Sequence, residues 1–142
     1  MREFRKLKVW NSSVELTVKI YSLVSSFPSS DNYTIGSQMK RSSLSIASNI
    51  AEGSSRRSEV EKRRFVEIAQ GSAYELETQL EVARRCQIIA DDTAAEILAE
   101  MSLLQVSLYH FEQVLSGTRT SRRNRMISIV VVLMLGLSIA LK

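Results

Sequence analysis

Residues 37–55 read SQMKRSSLSIASNIAEGSS. The run is rich in serine and poor in large apolar residues, so a flexible linker, a serine nucleophile site and a helix are all open readings. Helical geometry decides between them. At 100° per residue, Ile35, Met39, Ser43, Ile46 and Ile50 fall within an arc of about 80°, and Gln38, Arg41, Ser45, Asn49 and Glu52 within a neighbouring arc of about 80°. A linker has no such order. The spacing predicts a helix over residues 35–52 with an apolar stripe beside a polar one. Gly53 stands where a left-handed C-terminal cap belongs.

The flanking sequence repeats this pattern. Upstream, Trp10, Val14, Thr17, Tyr21 and Val24 recur at intervals of four and three, which predicts a helix over residues 9–26 with that face inward. Pro28 ends it, because the residue before a proline avoids the helical region. Downstream, Ser58 and Glu61 form a capping box that opens a third helix. Its expected inner face is Phe65, Ile68, Ala69, Ser72, Leu76, Gln79, Leu80 and Ala83, and it reaches about Ile89. Thr93 and Glu96 repeat the capping-box spacing before a fourth helix with Ile97, Met101, Leu104, Leu108, Phe111 and Leu115 on one face. Four helices with short loops predict an all-α protein, an antiparallel up-down four-helix bundle. Small residues in the second and third helices (Ser42, Ser43, Ala47, Gly71, Ser72, Ala73) suit close backbone packing.

Composition agrees with that class. The chain has 142 residues, one proline and five glycines, which is enough for a single core and sparing of helix breakers. Its one cysteine, Cys86, excludes an internal disulfide and a cysteine zinc cage, and suits a reducing, cytoplasmic setting. No apolar run follows the charged N-terminus as a secretory signal requires. The net charge of +4 is unevenly placed. Residues 1–118 hold fourteen Lys and Arg against all fifteen Asp and Glu, while residues 119–142 hold five basic groups and no acid. Basicity belongs to the tail, and the body is close to neutral.

Two catalytic ideas fail on inventory. A serine nucleophile needs a base, and the only histidine is His110 on the fourth helix, with no nucleophile-elbow motif anywhere. A di-iron site in a four-helix bundle needs Glu-x-x-His pairs on two helices, and Ser107 stands three residues before His110. Glu67, Glu75, Glu77 and Glu81 then read as a solvated or interface face of the third helix. No enzyme and no cofactor are expected.

The segments FRKLKVW, IYSLVSSFP, YTIGSQMKRSSLSIASNIAEGSSRRS and FVEIAQGSAYELETQL resemble the bacterial four-helix bundle proteins, also called 23S rRNA intervening-sequence proteins. The resemblance covers about residues 4–116 and is strongest over residues 38–53 and 69–80. It implies a left-handed antiparallel bundle that assembles as a ring-shaped homo-oligomer, typically a pentamer, with no known catalytic activity. A related branch accompanies diversity-generating retroelements, where the bundle binds the reverse transcriptase. RNA or a nucleic-acid enzyme is therefore the expected class of partner. Gly36 departs from the Thr that members often carry as second-helix N-cap, and glycine is a weaker but acceptable cap. Nothing after Thr118 matches.

With that resemblance, the polar stripe of Gln38, Arg41, Ser45, Asn49 and Glu52, joined by Glu75, becomes a candidate subunit interface or binding groove, with Arg41 paired to Glu52 or Glu75. An ordinary solvated face is the competing reading. Basic residues gather in two places, at Arg2, Arg5, Lys6 and Lys8, and at Arg56, Arg57, Lys62, Arg63 and Arg64. The second group is the candidate nucleic-acid contact. Aromatic residues are scarce nearby, so phosphate binding is expected rather than base stacking.

Residues 119–142 form a basic linker and then sixteen uncharged residues, 126–141. As a helix that run spans about 24 Å, short of the roughly 30 Å hydrocarbon core unless Arg125 and Lys142 snorkel. A C-terminal membrane anchor at the cytoplasmic face of the inner membrane, a fifth helix buried in the oligomer, and an appendage from a shifted reading frame all remain open. The main expectation is a non-enzymatic, self-assembling scaffold, and the alternative is a membrane-tethered one. In either case residues 1–118 are expected to fold alone.

Overall fold

A computed structural model describes residues 3–116, and among these residues all regular structure is helical. The four long helices are α1 (Lys8–Ser25), α2 (Ser37–Ser55), α3 (Glu59–Arg85) and α4 (Asp91–Leu115). A single helical turn, Phe4–Lys6, precedes α1, with Phe4 packed edge-on against Trp10 at 5.0 Å between ring centres.

The inner face of α1 differs from the expected one. Val9, Ser13, Leu16, Thr17, Ile20 and Val24 are buried, Trp10 and Val14 are half-buried, and Tyr21 is exposed. Thr17 and Val24 belong to both faces, and the difference centres on Ser13, a polar residue buried with Val9, Leu16 and Ile20. Ser13 Oγ donates to the Trp10 carbonyl at 2.7 Å. The Thr17 hydroxyl lies 2.8 Å from the Ser13 carbonyl and 3.0 Å from that of Ser43 on α2. Hydroxyls satisfied by backbone carbonyls can be buried at little cost.

Neither glycine of the second helix is a cap. The turn Ser29–Asp31 and a wide π-helical turn, Asn32–Gly36, run directly into α2, so Gly36 has helical angles and is buried. A Cβ there would lie 2.5 Å from Val24 Cγ1 and 3.1 Å from the Asp31 carbonyl oxygen. Gly53 lies inside α2, which continues to Ser55, and a Cβ on it would come within 2.8 Å of Phe65 Cβ. Both glycines permit close approach. The expected apolar stripe of α2 is otherwise in place, with Met39, Ser43, Ile46 and Ile50 buried and Ile35 half-buried.

The start of α3 is as expected. Ser58 Oγ accepts from the Glu61 N–H at 3.2 Å and donates to Glu61 Oε2 at 2.8 Å. The helix ends four residues before Ile89. Gln87 takes φ 58°, Ile88 N–H donates to the Ala83 carbonyl at 2.9 Å, and Gln87 N–H to that of Arg84 at 3.0 Å. This is a Schellman ending with glutamine where glycine is usual. On the inner face Ala69, Ser72, Leu76, Leu80 and Ala83 are buried as expected, joined by Val66 and Ala73. Ile68 and Gly71 face outward instead.

No capping box opens α4. Its N-cap is Ala90, and Thr93 already lies inside the helix. Asp91 and Asp92 occupy the first turn, where their charge suits the positive end of the helix dipole. Ile97, Met101, Leu104, Leu108 and Leu115 are buried.

The α2–α3 contact is the most extensive, followed by α1–α2 and α3–α4, and α1–α4 is the slightest. Across α2–α3, Ser42 meets Gln79, Ser45 meets Ser72 and Gly53 meets Phe65, so the partners run in opposite order along the two helices. Thr17 with Ser43 and Val24 with Gly36 give the same sense for α1–α2. Arg84 with Asp91, Gln105 with Glu77 and Arg63 with Glu112 give it for α3–α4. The core between them includes Ile20, Met39, Ile46, Ile50, Leu76, Leu80, Met101 and Leu108, all at most 1% exposed. Each large aliphatic side chain so buried contributes about 1.5–3 kcal/mol before chain entropy is counted.

Candidate functional site

The polar stripe of α2 divides in two. Ser45 and Asn49 are half-buried at the α2–α3 seam. Ser45 Oγ lies 2.9 Å from Ser72 Oγ, and Asn49 Nδ2 donates to the Ser45 carbonyl at 2.8 Å. Ser45 ties the two helices together, and Asn49 braces it from one turn further along α2. Gln38, Arg41, Glu52 and Glu75 are exposed. The expected pairing of Arg41 with Glu52 or Glu75 is not formed: Glu52 stands about 16 Å further along the same helix and pairs with Arg56, and no ion pair joins Arg41 to Glu75. Arg41 makes no ion pair with any described residue.

The two basic clusters come to one end. Because α1 and α2 run in opposite senses, the N-terminal turn with Arg5 and Lys6 packs beside α2 near its end, and Lys8 opens α1 there. Arg56, Arg57, Lys62, Arg63 and Arg64 occupy the α2–α3 junction at the same end. The individual groups differ. The Arg56 guanidinium stacks on the Phe65 ring at 4.7 Å and pairs with Glu52. Lys62 is largely covered and pairs with Glu59 at 2.5 Å. Arg63 reaches Glu67 at 3.0 Å and Glu112 at 3.6 Å. Arg57 and Arg64 are exposed, and no ion pair to either is formed among the described residues. Three of the five candidate contacts are thus engaged in holding the junction, and two point to solvent without a partner. The Ser58 hydroxyl, a hydrogen-bond donor to Glu61, holds that carboxyl below its ordinary range, so the acid stays ionised beside the cluster.

The opposite end has the other sign. Glu77, Glu81, Asp91, Asp92 and Glu96 gather where α3 passes into α4. Arg84 grips Glu81 with two hydrogen bonds of 2.8 and 2.9 Å and reaches Asp91 at 3.2 Å, while Arg85 adds a third bond to Glu81 at 2.7 Å. These guanidiniums pull the Glu81 carboxyl down to about 2. The two ends therefore differ in charge by a modest margin: Glu3, Glu52, Glu59, Glu61, Glu67 and Glu112 offset much of the basic end, and Arg84 and Arg85 part of the acidic one.

One feature escaped the sequence reading. The outer side of α4 carries Leu103, Val106, Tyr109 and Val114, all more than half exposed. The regular inner stripe of α4 drew the eye, and the signal on its outer side was the lack of any charge between Glu100 and Glu112. His110 is exposed beside the Tyr109 ring. No described helix is long and apolar enough to cross a membrane. The expectations for residues 119–142, including the anchor at 126–141, and for Arg2, lie outside the described residues.

A family model described as 23S rRNA-intervening sequence protein matches residues 5–110. Among solved structures, a protein of unknown function from the S23 ribosomal protein family of Bacteroides thetaiotaomicron is similar, with a TM-score of 0.67 and 24% identity. The match covers 74% of this chain and 98% of that one. No curated protein matches.

Proposed function

Because the chain belongs to the 23S rRNA-intervening sequence protein family, we propose that it is a non-enzymatic, self-assembling, antiparallel up-down four-helix bundle that holds RNA by its phosphates. The observation that carries this reading is the convergence of both basic clusters on one pole, with Arg57 and Arg64 exposed there. Unpaired arginines on a rigid junction suit phosphate oxygens, which they can meet with paired hydrogen bonds. The acidic opposite pole favours an end-on approach to a polyanion. Self-assembly would use the outer face of α2 and α3, where Gln38, Arg41, Leu44, Ile68 and Glu75 are exposed. A ring of copies would repeat the basic pole side by side.

The test is a salt titration of the full chain against a mixed-sequence RNA oligonucleotide. Each phosphate contact adds about 0.7–0.9 to the slope of log affinity against log salt. Arg57→Ala combined with Arg64→Ala should weaken binding and lower that slope by about 1–2 per protomer. Helicity should be unchanged, since both residues are exposed. Absence of binding by the parent chain, or a slope that the double variant leaves intact, removes the proposal.

A further inference from the structure

The outer side of α4 should not be apolar if it faces water. Between Glu100 and Glu112 the helix carries no charged side chain, so its inner stripe of Met101, Leu104 and Leu108 is matched outside by Leu103, Val106 and, further on, Val114. With the exposed Ala99, these residues form one stripe along the helix, interrupted by the exposed His110 between Val106 and Val114. A helix apolar on both sides is normally covered on both sides. The stripe borders the α1–α4 groove, a cavity of about 310 Å³ lined by Leu16, Leu103 and Leu104, with Glu15, Lys19 and Glu100 at its edge. That groove lies where two neighbouring helices touch least.

We propose that residues 126–141 of the same chain cover this stripe. Three observations select this occupant. The first is length: sixteen residues span about 24 Å as a helix, and the stripe from Ala99 to Val114 spans about 22 Å. The second is continuity. The segment is the next apolar stretch after α4, and the ten residues between them, 116–125, are enough to reverse the chain and lay the segment antiparallel along that helix. The third is chemistry. Residues 126–141 contain no charge, as does the face they would meet, while the four arginines at 119, 122, 123 and 125 lie in the connection. That connection begins at the pole where Arg57 and Arg64 stand, so docking would keep all four arginines there.

Cross-linking of the full chain tests the proposal. In a Cys86→Ser background, Val106→Cys is combined in turn with Val131→Cys, Val132→Cys, Leu133→Cys and Met134→Cys. These positions face Val106 if the two segments run antiparallel from the connection. Each dilute, detergent-free sample is oxidised and compared with its reduced form by denaturing electrophoresis. The expected result is an internal bridge, seen as faster monomer migration, that forms for one or two of the four positions and not equally for all. Dimer-sized products would assign the stripe to a second copy and overturn the proposal. So would a chain that shows no internal bridge and co-sediments with phosphatidylcholine vesicles, because the segment would then be in lipid.

Discussion

Three glycines show how differently one residue type can serve. Gly53 is buried where α2 meets α3, with Phe65 Cβ and the Lys62 carbonyl 2.8 and 3.3 Å from where a Cβ would sit. Nothing lies within 4 Å of a Cβ at Gly71, in the exposed middle of α3. Gly53→Ala should therefore cost about 1–3 kcal/mol through overpacking. Gly71→Ala should gain about 0.5–1 kcal/mol from helix propensity. Urea denaturation of the two variants checks the order, and a stabilised Gly53→Ala would show that the seam is slacker than the distances imply. Gly36 belongs with Gly53, since Val24 Cγ1 stands 2.5 Å from its missing Cβ. None of this was legible in sequence. Capping rules place a glycine by its neighbours in the chain, and what fixes Gly36 and Gly53 is a neighbour from another helix.

At the scale of elements, apolar spacing located all four long helices, and Ser58 with Glu61 marked one boundary correctly. The errors have a common cause. On α1, Thr17 and Val24 were placed correctly, but the face was rotated away from Val9, Leu16 and Ile20, because Ser13 between them reads as polar while its hydroxyl is satisfied by a carbonyl and packs like a small apolar group. Thr93 and Glu96 imitate a cap that Ala90 and the acids beside it make unnecessary. The α3–α4 turn offers a pH test. Arg84 and Arg85 lower the Glu81 carboxyl from 4.5 to about 2 in the folded chain, so this contact is stabilising above pH 4.5 and is lost as pH falls towards 2. The melting temperature of the parent chain should drop more steeply over that interval than that of Glu81→Gln. Parallel curves would mean that this exposed pairing contributes nothing net, as exposed ion pairs sometimes do.

For the whole molecule, the sequence revealed both basic clusters, and the antiparallel arrangement it predicted already carries their meeting at one end, although the two were read apart. Arg41 was legible as a stripe residue, but Glu52 shares its stripe at about three turns' distance and so stands out of reach. An exposed Arg41 without an ion pair gives a clean test of assembly. Arg41→Ala should change folding stability by no more than about 0.5 kcal/mol, and it should lower the particle mass measured by light scattering if the α2–α3 face joins copies. An unchanged mass would place that contact elsewhere.

The lengthwise separation of charge has a geometric consequence. A molecule with one basic end meets a polyanion as a peg meets a board, not as a log lying along it. If the proposed contact with RNA phosphates forms, each copy would occupy a patch set by the width of the bundle, while the roughly 40 Å length of α3 would stand clear. Copies can crowd along the polymer like bristles, with their acidic tips repelling one another and keeping the row from folding onto itself.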